Sequence, residues 1–302
     1  MTHRRSWRGA ALIALVGLAA GTAIQVAAAD TYWPPITQVP TDVRSTGRFV
    51  WGELLTRDVG AAAEFYGKVF GWTFETYGPE DDLKTYTVVL SGGTPIGGMV
   101  YAAPRKDEKK QRSARWVGLI SVPDVQAAAN WVEKDGGKVL MPPRQLGERG
   151  TAALFADPEG GLFGVINSAT GDPEDYLGED NQWLWIELWA TDAAKMAAFY
   201  KGVAGYDVTD GAAKGESTGF QLRSGGYARA GIMPKPGKTP TAWVPYIRVK
   251  SVPETVASAS AAGARVVMQP RELHGTPVAI LVDPTGAVFA VAEWAGRARE
   301  AK

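Results

Sequence analysis

The sequence predicts an α+β protein built from four β-α-β-β-β units that pair into two domains. Three observations carry that prediction. A strand followed by a short amphipathic helix occurs as RFVWGELLTRDVGAAAEFYGKVFGW and returns as WLWIELWATDAAKMAAFYKGVAGY. A second strand–helix pattern follows each of these, with Trp116, Met141 and Pro143-Arg144 answered by Trp243, Met268 and Pro270-Arg271. A tight turn of the form DPxG, in DPEGGLFGV and DPTGAVFAV, closes each half. Self-similarity at so many positions marks repeated units. A unit of about 60 residues with one helix cannot bury both faces of its own sheet, so the units are expected to pair.

The first unit opens with a strand over roughly 48–56. Alternation with a period of two puts Phe49, Trp51, Glu53 and Leu55 on one face. Asp58 then starts a helix, in which Ala62, Phe65, Tyr66, Val69 and Phe70 recur at helical spacing before Gly71 stops it. Short strands near 72–77, 84–91 and 95–101 complete the unit. In the second, WVGLISVPDV supplies a strand and a helix entry, and QAAANWVEKDGG a helix ended by glycine. KVLMPP and TAALFADPEGGLFGVIN give its later strands, folded back at the DPEG turn.

Unit three begins with WLWIELWATD, which places Trp183, Trp185, Glu187 and Trp189 on one strand face. Leu184, Ile186, Leu188 and Ala190 fall on the other. The aliphatic face suits a core packed by helices, whereas indoles around a carboxylate suit the wall of a cavity. Unit four contributes Val244, Tyr246 and Arg248 to the cavity face. The charged runs FETYGPEDDLKTY and APRKDEKKQRSAR read as solvated loops.

At the N-terminus, Arg4, Arg5 and Arg8 precede an apolar run from Ala10 to about Ala23, and Ala27–Ala29 precede Asp30. This order predicts an export signal over residues 1–29 and a periplasmic or secreted protein. Arg4-Arg5 ahead of a mild apolar segment resembles a twin-arginine signal. Residues 30–46, with Trp33, Pro34, Pro35 and Pro40, are expected to be an extended lead-in. Domain 1 is expected over 47–168, an acidic connector over 169–180, domain 2 over 181–296 and a short tail over 297–302. The 32 basic residues, less the three arginines of the signal, leave 29 against 32 acidic ones, a net charge of −3. That offers no electrostatic case for nucleic acid or for an anionic membrane surface. The chain has no cysteine, which excludes thiol catalysis and thiolate metal sites. Of its two histidines, His3 lies in the signal and His274 in the loop RELHGTPV, as a cavity-rim base or as a solvated side chain.

With "D…A..FY" after an opening strand and DPxG before a closing one, the paired units resemble the vicinal oxygen chelate superfamily. That superfamily contains glyoxalase I, the bleomycin-resistance proteins and the extradiol dioxygenases. The tandem-domain, glyoxalase-like proteins related to the CFP-30B antigen are the most similar group, and the resemblance spans about residues 47–296. It implies two half-barrel domains, each a curved sheet around a cavity, with unit pairing inside one chain or exchanged in a homodimer. Metal-dependent members of the superfamily hold ligands seven residues before the helix-opening residue and seven after the DPxG aspartate. Here those positions are Trp51, Val117, Trp185, Val244, Gly164 and Ala290, and none has a ligating side chain. No metal and no other cofactor is therefore expected. Glu53 and Glu187 stand two residues further along, but one carboxylate per cavity is not a coordination sphere.

The candidate ligand-binding residues are thus Trp51, Glu53, Trp183, Trp185, Glu187, Trp189, Tyr246 and Arg248. Glu187 and Arg248 either pair with each other or meet a ligand, Arg248 at an anionic group and Glu187 at a hydroxyl or amine. Three readings follow: a metal-free protein binding a small aromatic or amphipathic molecule, an enzyme working through Glu53 or Glu187, and a structural module whose aromatic faces bury one another. No nucleophile elbow, phosphate-binding glycine loop or paired-carboxylate signature is present.

Overall fold

The computed structural model describes residues 32–78, 85–103, 114–175, 177–211, 219–273 and 275–294. The expected export segment, much of both charged loops, His274 and the tail lie outside these residues. Unit one is β1 (Phe49–Thr56), α1 (Val59–Phe70), β2 (Thr73–Tyr77), β3 (Tyr86–Ser91) and β4 (Thr94–Tyr101). Unit two is β5 (Arg115–Ser121), α2 (Val125–Lys134), β6 (Lys138–Leu146), β7 (Gly150–Ala156) and β8 (Leu162–Ser168), with a one-turn 3-10 helix at Gly147–Arg149. Unit three is β9 (Trp183–Ala190), α3 (Ala193–Ala204), β10 (Asp207–Asp210), β11 (Phe220–Ser224) and β12 (Tyr227–Pro234). Unit four is β13 (Ala242–Arg248), α4 (Val252–Ala261), β14 (Arg265–Leu273), β15 (Thr276–Val282) and β16 (Val288–Ala292).

Units one and two share a curved, unclosed sheet in the order β2-β3-β4-β1-β5-β8-β7-β6. Units three and four repeat it as β10-β11-β12-β9-β13-β16-β15-β14. The units therefore pair within the chain, each pair joined by its two opening strands running antiparallel. Helix boundaries follow local chemistry. Asp58, Asp124 and Asp192 each accept backbone N–H groups of the first turn, and Ser251 does so through its hydroxyl. Gly71 and Gly205 end α1 and α3 in the left-handed conformation, at φ 67° and 68°.

The helices lie between the two sheets, where α1 packs on α4 and α2 on α3. One buried core is built mainly from units two and three, the other mainly from units one and four. Each core thus draws on both domains. The sequence motifs act as clamps across this junction. Tyr66 of the FY pair in α1 donates to Asp283 of the second DPxG turn at 3.0 Å, and accepts from Trp116 Nε1 at 2.7 Å. Tyr200 in α3 repeats this with Asp157 of the first turn at 2.9 Å and Trp243 at 2.8 Å. All six side chains are buried.

Away from the helices, each sheet has a concave face, and the two are treated differently. In domain 1 the lead-in runs across it as a strap, putting Trp33 and Ile36 into the apolar cluster there. The connector holds the strap down: Thr41 N–H donates to Thr170 O, and Ser45 N–H to the Asp172 carboxylate. The corresponding cluster of domain 2 draws on β9, β13, β14, β15 and β16 alone among the described residues.

Candidate functional site

On the concave face of domain 1, Trp51 and Glu53 point inward, as alternation along β1 requires, but they meet other side chains rather than a cavity. Arg149, from the 3-10 turn after β6, is 0% exposed, and its Nη1 lies 3.0 Å from Glu53 Oε2. Its guanidinium carbon stacks 4.4 Å from the Tyr86 ring centroid, 5.0 Å from Trp51 and 5.3 Å from Trp33. Nε donates to the Pro34 carbonyl of the strap. Tyr86 donates to Glu53 Oε2 at 3.1 Å and accepts from Trp51 Nε1 at 3.0 Å. Gly98, opposite Glu53 on β4, makes room, because a Cβ there would collide with the Tyr86 hydroxyl. Burial pushes the Glu53 carboxyl above the usual glutamate range, against the opposing pull of Arg149 and the Tyr86 hydroxyl. Sequence reasoning missed Arg149: a lone arginine in a GERG turn carries no periodic signal, and its partners lie far along the chain.

In domain 2 the structure gathers Trp185, Glu187, Trp189 and Tyr246. Glu187 Oε2 accepts from Trp189 Nε1 and from the Tyr246 hydroxyl, both at 3.0 Å. Burial, and then the neighbouring Glu187, push the Tyr246 phenol far above its ordinary pKa, so it is a hydrogen-bond donor at every working pH. Trp185, Glu187 and Trp189 are half-buried, over a floor of Val244, Val278, Ile280 and Ala290. Gly231 faces Glu187 as Gly98 faces Glu53.

Two expected members of the site stand elsewhere. Trp183 lies on the helix side, edge-on to Trp72 and Trp116, with Nε1 donating to Ile96 O at 2.7 Å. The cause is a β-bulge: Trp185 pairs with Tyr246 but Trp183 with Ile247, leaving Leu184 as the extra residue. The added residue turns Trp183 over and brings Leu184 to the concave cluster. β1 has the same irregularity between Phe49 and Trp51, and Phe49 packs on Trp243 in the helix-side core. Arg248 turns away as well. Its Nε lies 3.4 Å from Asp180 and its Nη1 donates to Gly178 O, so the connector takes the charge that Glu187 was expected to share.

Two clefts lie away from Trp185 and Glu187. One, of about 620 Å³, runs between the connector and the start of α4 and includes Arg248. The other, of about 1390 Å³, opens between the domains at Trp116 and Trp243. Neither is lined by Trp185 or Glu187. The carboxylates of the second, Asp58, Glu159 and Asp283, are held by backbone N–H groups, and the last two also by neighbouring hydroxyls.

The family's metal can be tested against the donors present. Trp51, Val117, Trp185, Val244 and Ala290 do line the concave clusters, so the ligand positions have the family's placement. Their side chains are indole, isopropyl and methyl, and Gly164 has none, so they offer no donor atom. No group of three histidine, aspartate or glutamate side chains capable of holding a metal is found among the described residues. The residues do not fit the metal.

Two curved, unclosed eight-stranded sheets, each with ligand positions on its concave face, define the glyoxalase class of fold. The chain belongs to the glyoxalase/bleomycin resistance protein/dioxygenase superfamily, whose description matches residues 48–165, with a glyoxalase-like domain matching residues 184–292. It is 29% identical over 245 residues to "Putative glyoxylase CFP32" of Mycobacterium tuberculosis, across 80% of this chain and 92% of that protein. It is 28% identical over 257 residues to "Anthracycline biosynthesis protein DauV" of a Streptomyces species, across 82% of this chain and 93% of that protein. Among solved structures, the Mn(II)-bound glyoxalase of Novosphingobium aromaticivorans superposes with a TM-score of 0.56 at 21% identity, covering 83% of each chain. The 2,3-dioxygenase LapB of a Pseudomonas species gives 0.55 at 13% identity, covering 85% of this chain and 95% of that one. At such identities the structural likeness speaks to the fold alone.

Proposed function

We propose that the protein binds a small aromatic or amphipathic molecule on the concave face of domain 2, without the family's metal, and that domain 1 supports that site. One contrast carries this reading. The equivalent faces hold the same opening pair, Trp51 with Glu53 and Trp185 with Glu187, yet the first is sealed by Arg149 and Trp33 while the second stays partly exposed. Partly exposed indoles over an aliphatic floor, with a few convergent polar groups, are the composition of a small-molecule site. The names of the Streptomyces relatives agree with a flat aromatic ligand, since anthracyclines are fused-ring aromatics. An enzymatic role would rest on Glu187, because Glu53 is buried against Arg149. The basic, apolar and small-residue order of residues 1–29 supports export as the setting for this activity.

Calorimetric titration of the full-length protein with planar aromatic compounds tests the proposal. Trp185→Ala is expected to weaken binding about tenfold or more, a loss of about 1.4 kcal/mol, with melting close to wild type. Binding is also expected to survive a chelator. Equal affinity in the variant would remove the site from domain 2, and a loss on chelation reversed by a divalent cation would restore the metal.

A further inference from the structure

We infer that domain 1 binds a small oxyanion, a carboxylate or phosphate group, on the Nε–Nη2 edge of Arg144 at the rim of its concave face. The inference is independent of the aromatic site proposed for domain 2, and neither falls with the other. It rests on buried donors that meet no acceptor among the described residues.

Arg144 stands on β6, the outermost strand of its sheet, opposite Ala152 on β7. Ala152 belongs to the concave cluster, and cross-strand partners share a face, so Arg144 lies on that face too. The residue is partly buried, but its Nε and Nη2 are shut off from solvent and neither has a hydrogen-bond partner. No carboxylate among the described residues forms an ion pair with it. Nε–H and one Nη2–H are parallel donors on one edge of the planar guanidinium. Such an edge grips a carboxylate or a phosphate through two hydrogen bonds at once.

The balance of donors and acceptors on this face selects an anion. Arg149 Nη2 and Trp33 Nε1 are also buried without partners, and the Arg149 guanidinium sits over the Trp33 ring. Four orphaned nitrogens, two of them on Arg144, thus stand against one orphaned acceptor, Glu53 Oε1. A water molecule brings donors as well as acceptors, whereas an oxyanion brings acceptors and a counter-charge, without which a buried guanidinium is costly. The repeat shows that the fold does not force this burial. Arg271 is the counterpart of Arg144, opposite Val278 of the domain 2 concave cluster, and it is exposed. In domain 1 the strap reaches the β6–β7 turn, where Tyr32 donates to Glu148 and the Trp33 backbone passes Gly147. Arg144 stands just before that covered turn.

The test titrates inorganic phosphate, acetate and chloride into the full-length protein at matched ionic strength, in an amine buffer free of other oxyanions. Phosphate or acetate is expected to bind about tenfold or more tightly than chloride, and the two arms separate a phosphate group from a carboxylate. Arg144→Gln is expected to abolish that preference. Arg144→Lys keeps the charge but not the paired donors, and is expected to weaken binding about tenfold or more. Arg271→Gln is expected to bind as wild type does. If Arg144→Gln does not fold, Arg144→Lys and Arg271→Gln decide the matter. Ion chromatography of desalted, denatured protein covers an ion held too tightly to exchange: release from wild type but not from the Arg144 variants supports the site equally. No binding at millimolar concentration and no released ion would overturn the inference, leaving water on the orphaned donors. Binding that survives in Arg144→Gln, or that is lost equally in Arg271→Gln, would overturn it as an adventitious ion only.

Discussion

Arg149 and Glu53 form an ion pair with almost no access to water, at 0% and 8% side-chain exposure. Such a pair is worth little against an apolar replacement, but breaking it strands a charge. Arg149→Met is therefore expected to cost about 3–5 kcal/mol in urea unfolding at neutral pH, and adding Glu53→Gln to recover most of the loss. The pH dependence has a definite sign. Burial already raises the native pKa of Glu53, and a carboxyl so raised contributes stability that is complete below its unfolded value and lost as pH rises through the native one. Removing the arginine raises that native value further, so the penalty of Arg149→Met should shrink as pH falls into the acid range. A penalty constant with pH would show that the carboxylate is not the stranded group.

At the scale of elements, most of the pattern was open to reading from sequence and one part was not. The caps at Asp58, Asp124 and Asp192 follow from residue type, and the structure uses them: Asp124 Oδ1 accepts from Gln126 and Ala127 at 2.8 and 2.9 Å. Asp124→Ala is expected to cost about 1 kcal/mol by thermal or urea unfolding. Strict alternation along β9 put Trp183 beside Trp185, and the bulge at Leu184 overturned it. A bulge has no composition of its own here. It is imposed by the partner strand, where Tyr246 and Ile247 are adjacent while their partners are two apart. The same limit hid Arg149, whose surroundings come from Trp33, Trp51, Glu53 and Tyr86. Arg248 was legible as a cation on the right strand, but its capture by Asp180 depends on the path of the connector.

For the whole molecule, the repeat announced four units and their pairing, yet it did not announce that each apolar core would be shared between domains. Only the structure shows why FY and DPxG recur in alternate units: they are the two halves of a cross-domain hydrogen bond. Tyr66→Phe or Tyr200→Phe removes a buried hydroxyl that both donates and accepts, and each should lower stability by about 1–3 kcal/mol in equilibrium unfolding. Loss confined to one domain, seen as two separate transitions, would argue against shared cores. The asymmetry between the concave faces has its own direct measurement: fluorine NMR of the full-length protein carrying fluorotryptophan, titrated with an aromatic ligand and assigned by single tryptophan substitutions. Movement of the Trp185 and Trp189 signals, with Trp33 and Trp51 unmoved, is the expected result. Movement of Trp33 or Trp51 with Trp185 and Trp189 silent would contradict it, placing the ligand in the domain that Arg149 fills.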